Sequence, residues 1–401
     1  MTEQKNSPVL RFPGFDSNWS KKRLKKIADI NPKSKQNRPE QFNYIDLESV
    51  KQGRIINISK VSKDNAPSRA QRIAQKQDIF FQTVRPYQQN NFIYNFDVDD
   101  VVVSTGYAQF RTINHKYYIF TLLHTYRFLV NVLLNCTGSN YPAINSTDLS
   151  NIEVYITENK LEQEKIGNFF SKLDCQIELE EKKLELLEQQ KKGYIQKIFS
   201  QELRFKDENG NNYPNWEMKK LGNIANIVGG GTPSTKKSEY WDGDINWFSP
   251  VEIGDKEFVS TSQRRITEKG LEKSSAKVLP IGTVLFTSRA GIGKTAILSK
   301  EATTNQGFQS IVPKENDLDS YFLYSMTSIL KRNAEKVGAG STFSEVSRKQ
   351  MEQIKLLIPI LKEQKQIGRL FQIINRKINK QIHKIELLKQ RKKGLLQKMF
   401  I

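Results

Sequence analysis

One segment of this chain occurs twice, at an offset of 201 residues, half the chain length. EQEKIGNFFSKLDCQIELEEKKLELLEQQKKGYIQKIF, from Glu162 to Phe199, returns as EQKQIGRLFQIINRKINKQIHKIELLKQRKKGLLQKMF, from Glu363 to Phe400. Aligned without gaps, 17 of the 38 positions are identical. A duplication of this kind restricts the fold to two copies of one supersecondary plan. Weaker matches extend it: LRF at Leu10 recurs at Leu203, Asn18-Trp19 recurs as Asn215-Trp216, and GSNYPAI at Gly138 faces GSTFSEV at Gly340. Each half therefore reads as one globular domain followed by one helix.

The repeated segment has a helical seam. Ile166, Phe170, Leu173, Ile177, Leu184, Leu187, Tyr194 and Ile198 follow steps of three and four, broken by Glu180 and Lys191. The second copy gives Ile367, Phe371, Ile374, Ile378, Ile385, Leu388, Leu395 and Met399, broken by Gln381 and Lys392. A mean spacing of 3.5 residues marks a coiled-coil seam. Forty residues make a rod of about 60 Å, too long to bury its stripe against one small domain. Charge supplies a partner. Lys160 to Ser200 holds eight Lys and eight acidic residues, whereas Leu361 to Ile401 holds twelve Lys or Arg and two Glu. The two rods are expected to pair antiparallel within one chain. Glu178, Glu181, Glu185 and Glu188 would then meet the basic rod, and Glu180 would come near Gln381. Gly193 and Gly394 are expected to mark a bend or a close approach.

Ahead of the first rod, from Val9 to Glu158, runs such as RIINI (Arg54), DIFFQTV (Asp78), DVVVST (Asp100) and TYRFLVNV (Thr125) read as strands. INWFSP (Ile245), TVLFTS (Thr283), TAILS (Thr295) and FQSIVP (Phe308) do the same in the second half, with a helical stretch after Asp319. The expected fold class is mixed α/β. Two repeated globular domains, 1–158 and 203–360, are joined and separated by two long helices, 159–202 and 361–401. The helices form an antiparallel coiled coil with approximate twofold symmetry.

Composition narrows function. Lys and Arg number 63 against 43 Asp and Glu, a formal charge of +20, which favours a polyanionic partner and above all nucleic acid. Cys136 and Cys175 are the only cysteines and lack metal-ligand spacing, and His115, His124 and His383 add none. No metal site, export signal or membrane span is expected, and a cytoplasmic location fits. SRAGIGKT, ending at Lys294 and Thr295, lacks the first Gly of a phosphate loop, because Ser288 occupies that place. A Gly-rich turn between strands, presenting Arg289 and Lys294, is the expected structure. Asp99 and Asp100 read as a strand-entry turn. No adenine-methyltransferase motif is present, so no catalytic residue is assigned.

The second half carries VGGGTPSTKKSEYWDGDINWFSP (Val228), GTVLFTSRAGIGKTAI (Gly282), NQGF (Asn305) and GAGSTFSEVSRKQMEQIKLLIPILKEQKQIG (Gly338). These resemble, motif by motif and in order, the target-recognition domain of type I restriction-modification specificity subunits. In the first half, YIDLESV (Tyr44), APSRAQR (Ala66), DIFFQTVRPY (Asp78) and NYPAINSTDLSNIEVYI (Asn140) resemble a divergent member, with Thr157 where the family usually has Pro before the rod. The resemblance implies that each domain binds half of a bipartite target on double-stranded DNA. It also implies that the helices act as spacer and as docking surface for two methyltransferase subunits, which restriction and translocase subunits then join. S-adenosylmethionine, ATP and magnesium would belong to those partners, with no cofactor in this chain.

Base readers are sought among side chains able to donate paired hydrogen bonds. These are Arg69, Arg72, Arg85, Gln88, Gln89 and Arg111 in the first domain, and Arg264, Arg265 and Gln309 in the second. Lys63, Lys236, Lys237, Arg289 and Lys294 are candidates for phosphate contact. Two rival readings are a free-standing basic DNA-binding regulator, which would bind specifically without partners, and an ATPase using the AGIGKT turn, which would lose hydrolysis on Lys294→Ala.

Overall fold

Two helices, Lys160–Phe199 and Leu361–Met399, dominate the computed structural model, which describes residues 6–34, 37–98, 100–289, 291–338 and 345–401. The chain divides into two compact units. The first is Met1–Lys182 with His383–Ile401, and the second is Lys183–Ile382. Each unit contains one α/β body, the beginning of one long helix and the end of the other.

In the first unit, strands Gln41–Ile45 and Val101–Ser104 run parallel at the centre of a four-stranded sheet, flanked by antiparallel Ser59–Ser62 and Ala70–Ile73. A second sheet orders Asp29–Ile30, Tyr107–Arg111, Ile79–Gln82 and Phe92–Ile93, all antiparallel. Ile79–Gln82 and Val101–Ser104 are buried at every position, which is why they read as continuous apolar runs rather than alternating ones. The second unit has a five-stranded sheet, Ala225–Gly229, Gln309–Pro313, Val284–Phe286, Thr295–Leu298 and Phe258–Val259. Beside it lies a three-stranded sheet of Arg264–Ile266, Trp241–Phe248 and Thr303–Thr304. A two-stranded antiparallel ribbon leads into each long helix: Ser20–Arg23 with Glu153–Ile156, and Glu217–Lys220 with Lys355–Ile358.

One strand expectation fails and another holds only in part. Thr125 does not begin a strand; it caps helix Tyr126–Leu134, its hydroxyl accepting from the Phe128 N–H at 3.3 Å. Phe128 and Val132, four apart, are the buried face, so tertiary burial overrides the β-prone composition. RIINI is a strand only at Arg54–Ile55, with the Ile56 N–H still donating to the Ser49 carbonyl at 2.8 Å, and Ile56 and Ile58 are exposed. GSTFSEV begins outside the described residues, as does Asp99. Asp100 accepts from the Asn43 side chain at 3.0 Å.

The helices pair antiparallel within each unit. In the first, Ile166, Phe170, Leu173 and Ile177 share a core with Met399, Phe400, Leu388 and Leu395. In the second, Leu184, Leu187, Tyr194 and Ile198 pack with Ile367, Phe371, Ile374 and Ile378. Ile385 is also buried. Full burial of one such side chain stabilises by about 1.5–3 kcal/mol. Exposed ion pairs add at most about 1 kcal/mol each, so the seam holds the pair and charge selects its partner. In the first unit Glu180 meets Lys384, Glu181 meets Lys389 at 2.6 Å, and Asp174 meets Lys392 at 2.5 Å. Glu178, Glu185 and Glu188 make no ion pair with the basic helix among the described residues, contrary to expectation. Gly193 and Gly394 are not close approaches either, since a Cβ at either would meet nothing within 4 Å.

The repeated LRF and EQ residues join body to helix. Arg11 donates to both carboxylate oxygens of Glu162, at 2.5 and 2.8 Å, and Arg204 does the same to Glu363, at 3.2 and 2.7 Å. Gln163 and Gln364 follow. Their amides donate to the Thr157 and Pro359 carbonyls, and their oxygens accept from the His115 and Asp319 N–H groups. Four residues on, Gly167 and Gly368 let the helix touch the body: a Cβ at Gly167 would fall 2.2 Å from the His115 ring.

Candidate nucleic-acid interface

The second unit gathers its candidates around a tryptophan pair. Trp241 and Trp247 meet edge to face at 5.1 Å, and the Arg264 guanidinium stacks 3.6 Å from the Trp241 centroid. Along Arg264–Ile266 the two arginines are exposed and Ile266 is fully buried, so the sheet carries the charges outward. Among the described residues neither Arg264 nor Arg265 forms an ion pair, which leaves their donors available. Lys237 lies 5.3 Å over Tyr240, whose neighbour is Trp241, and Lys236 is exposed beside it. A stacked guanidinium with free donors is the geometry that reads a base edge or grips a phosphate.

The glycines before these lysines have a structural task. A Cβ at Gly230 would lie 1.9 Å from the Asn305 carbonyl oxygen. The Gly231 N–H donates to the Thr304 carbonyl at 2.8 Å, and its carbonyl accepts from the Trp247 indole at 2.8 Å. Gly231 thus offers no free amide to phosphate. Gln309 is half-buried with its Oε1 unpartnered, next to Gly229 in the sheet. The GIGK turn lies between the antiparallel strands Val284–Phe286 and Thr295–Leu298, and Ala290 before it lies outside the described residues. Gly293 donates to the Thr287 carbonyl and Lys294 to the Thr287 hydroxyl, so these amides are consumed by the turn. Arg289 pairs with Glu345 at 2.8 Å, whereas Lys294 is exposed without an ion pair among the described residues.

In the first unit, Arg85, Gln88 and Gln89 belong to one turn. Arg85 (φ 54°) and Gln89 (φ 51°) are left-handed, a region that non-glycine residues seldom adopt. The turn is held from inside: Gln82 donates to Gln88 Oε1 at 2.8 Å, and Arg85 N–H donates to the Pro142 carbonyl at 2.7 Å. Arg85 lies 4.4 Å over the ring of Tyr141, and Tyr87 and Tyr141 are exposed beside it. Arg69 is exposed on another turn. Arg72 is half-buried, its Nε unpartnered, and burial lowers its pKa. Arg111 is committed elsewhere, its fork donating twice to the buried Asp78 at 2.9 Å. Lys63 pairs with Glu40 at 2.7 Å.

The side chains that sequence reasoning missed are aromatic: Trp241, Trp247, Tyr87 and Tyr141. Their signal was present in WDGDINW, in the RPY that ends DIFFQTVRPY and in the NYP run, but only the fold places Arg264 over Trp241 and Arg85 over Tyr141.

No helix of the described residues is long and apolar enough to cross a membrane, and no cluster of three metal-capable side chains occurs among them. His124 is half-buried, its Nδ1 2.8 Å from the Phe120 carbonyl. Burial, with Lys392 nearby, holds its pKa down to about 4.

The Type I restriction enzyme MjaIX specificity subunit of Methanocaldococcus jannaschii is 34% identical over 207 residues, 51% of this chain and 48% of that protein. The EcoR124I/EcoR124II specificity subunit of Escherichia coli is 35% identical over 159 residues, 38% and 39% of the two chains. The chain thus spans about half the length or less of these curated relatives in the matched regions. In fold it resembles the type I restriction-modification S subunit of M. genitalium, with a TM-score of 0.63 at 16% identity, covering 98% of this chain and 99% of that one. A chain from a structure of type I R-M complex assembly and conformational transition gives 0.59 at 22% identity, covering 98% and 99%. Residues 16–189 and 213–389 each match the type I restriction modification DNA specificity domain. With both halves matched, the chain belongs to the type I restriction modification DNA specificity domain family.

Proposed function

We propose that this chain is the sequence-specificity subunit of a type I restriction and modification complex, working in the cytoplasm. Each α/β body reads one half of a bipartite target on double-stranded DNA. The bodies differ in sequence, so the target is asymmetric. The observation that carries the reading is that the specificity domain is found twice, once in each half.

In the first unit the readers are Arg69, Arg85 and Gln89, with Tyr87 and Tyr141 as platforms. In the second they are Arg264 and Arg265, with Lys236 and Lys237 on phosphate. The chain itself is not an enzyme. Methylation, ATP-driven translocation and cleavage belong to partner subunits, which carry S-adenosylmethionine, ATP and magnesium. The bodies are 1–158 and 203–360, and the helices 159–202 and 361–401 set the half-site spacing and dock two methyltransferase subunits. Co-expression with a methyltransferase subunit, followed by sequencing of methylated adenines, tests this. Two defined half-sites at one fixed separation are expected; methylation without a bipartite motif contradicts the proposal.

A further inference from the structure

Each unit has a cleft between its α/β body and its paired helices, and the two clefts differ in charge. At the 201-residue offset, the seam-breaking Lys191 corresponds to Lys392, and Asn375 corresponds to Asp174. In the first unit, Lys392 is neutralised by Asp174 at 2.5 Å. Glu181 there takes both Lys389 and Arg54, each at 2.6 Å. That cleft supplies its own anions.

In the second unit the acid is gone. Lys191, Lys294 and Lys331 line a cavity of about 450 Å³ together with Asn375, Thr295 and Thr327, and among the described residues no Asp or Glu lines it. Among the described residues Lys191 and Lys294 make no ion pair, and Lys331 has only Glu335 at 3.8 Å on the solvent side of its own helix. The Thr327 hydroxyl donates to the Tyr324 carbonyl at 2.6 Å and lies 2.9 Å from the Thr295 hydroxyl, so this pair satisfies itself and the three lysines are the donors that face the cavity. The left-handed Gly293 (φ 92°) admits Lys331, since a Cβ there would lie 2.5 Å from the lysine Cγ. Burial lowers the pKa of Lys191, and the nearby carboxylates of Glu257 and Glu188 offset this in part. The Glu257 carboxylate is engaged, accepting from the Tyr321 hydroxyl at 2.6 Å. A half-buried ammonium without a hydrogen-bonded counter-ion is costly to maintain unless a ligand supplies the charge.

We propose that this cleft binds a phosphate group, which takes the place that Asp174 fills in the first unit. The phosphate comes from a DNA backbone or from a free phosphate such as that of a nucleotide. The site is an anion cradle and carries no hydrolysis. It goes beyond the half-site reading and stands independently of it.

The test uses the full chain, titrated calorimetrically with inorganic phosphate and pyrophosphate, and by gel shift with a random-sequence duplex at several salt concentrations. Asn375→Asp restores the acid found in the first unit, and Lys191→Met removes the ammonium. Circular dichroism checks that both variants fold. Both are expected to weaken binding of one probe about tenfold. Loss confined to the free anions assigns a small ligand. Loss confined to the duplex, with a salt slope shallower by about 0.9, assigns a backbone phosphate. If the parent binds neither probe, or if both folded variants bind both probes as the parent does, the proposal is overturned.

Discussion

Arg204 and Glu363 lie 159 positions apart and meet in a two-bond fork at the start of the second long helix, where the carboxylate is fully buried. Arg11 and Glu162 repeat the relationship. Removing the cation strands a buried carboxylate, which costs about 3–5 kcal/mol. Arg204→Met is therefore expected to lower the urea unfolding midpoint markedly. The double variant with Glu363→Gln should recover part of the loss, because a neutral amide tolerates burial better.

Glycines at different places along the two rods are predicted to respond oppositely. Gly167→Ala drives a methyl into the His115 ring and should lower the melting temperature. Gly394→Ala meets open space in a helix interior, so it should raise stability by up to about 1 kcal/mol. Thermal unfolding of the two variants side by side checks both signs.

Much of the scaffold was legible in the sequence because a seam is a local, periodic signal. Ile166 to Ile198 and Ile367 to Met399 could be read as rods without knowledge of any distant contact. Polar partnerships were not legible. LRF and EQ were visible as repeats, yet nothing local says that Arg11 reaches Glu162 across 151 positions. Nor could the sequence separate Arg264, stacked with free donors, from Arg111, whose fork is taken by Asp78. The helix after Thr125 was misread because Phe, Leu and Val runs suit a buried strand as well as a helix that buries one face.

Arg264 and Arg111 should consequently behave differently. Arg264→Ala is expected to weaken specific binding by about 1–3 kcal/mol without loss of stability. Arg264→Lys should restore little, since it lacks the planar fork. Arg111→Ala should act through stability, leaving Asp78 buried and unpaired. Affinity and urea midpoints measured together separate the two effects.

His124 makes stability depend on pH. Its folded pKa of about 4 lies below the ordinary value of 6.5. The unfolded chain therefore binds the proton first, and the stability owed to neutral His124 is lost as pH falls from about 6.5 toward 4. The slope is at most about 1.4 kcal/mol per pH unit. His124→Gln should flatten this window in denaturant titrations at a series of pH values, while the parent loses stability across it.

The most direct test of the account exchanges the second α/β body, 203–360, for that of a family member with a different target, and maps methylated adenines in cells carrying the matching methyltransferase. The prediction is that one half-site changes while the other half-site and the separation stay as they were. A change in both halves, or in the separation, would contradict the claim that each body reads its own half of the DNA.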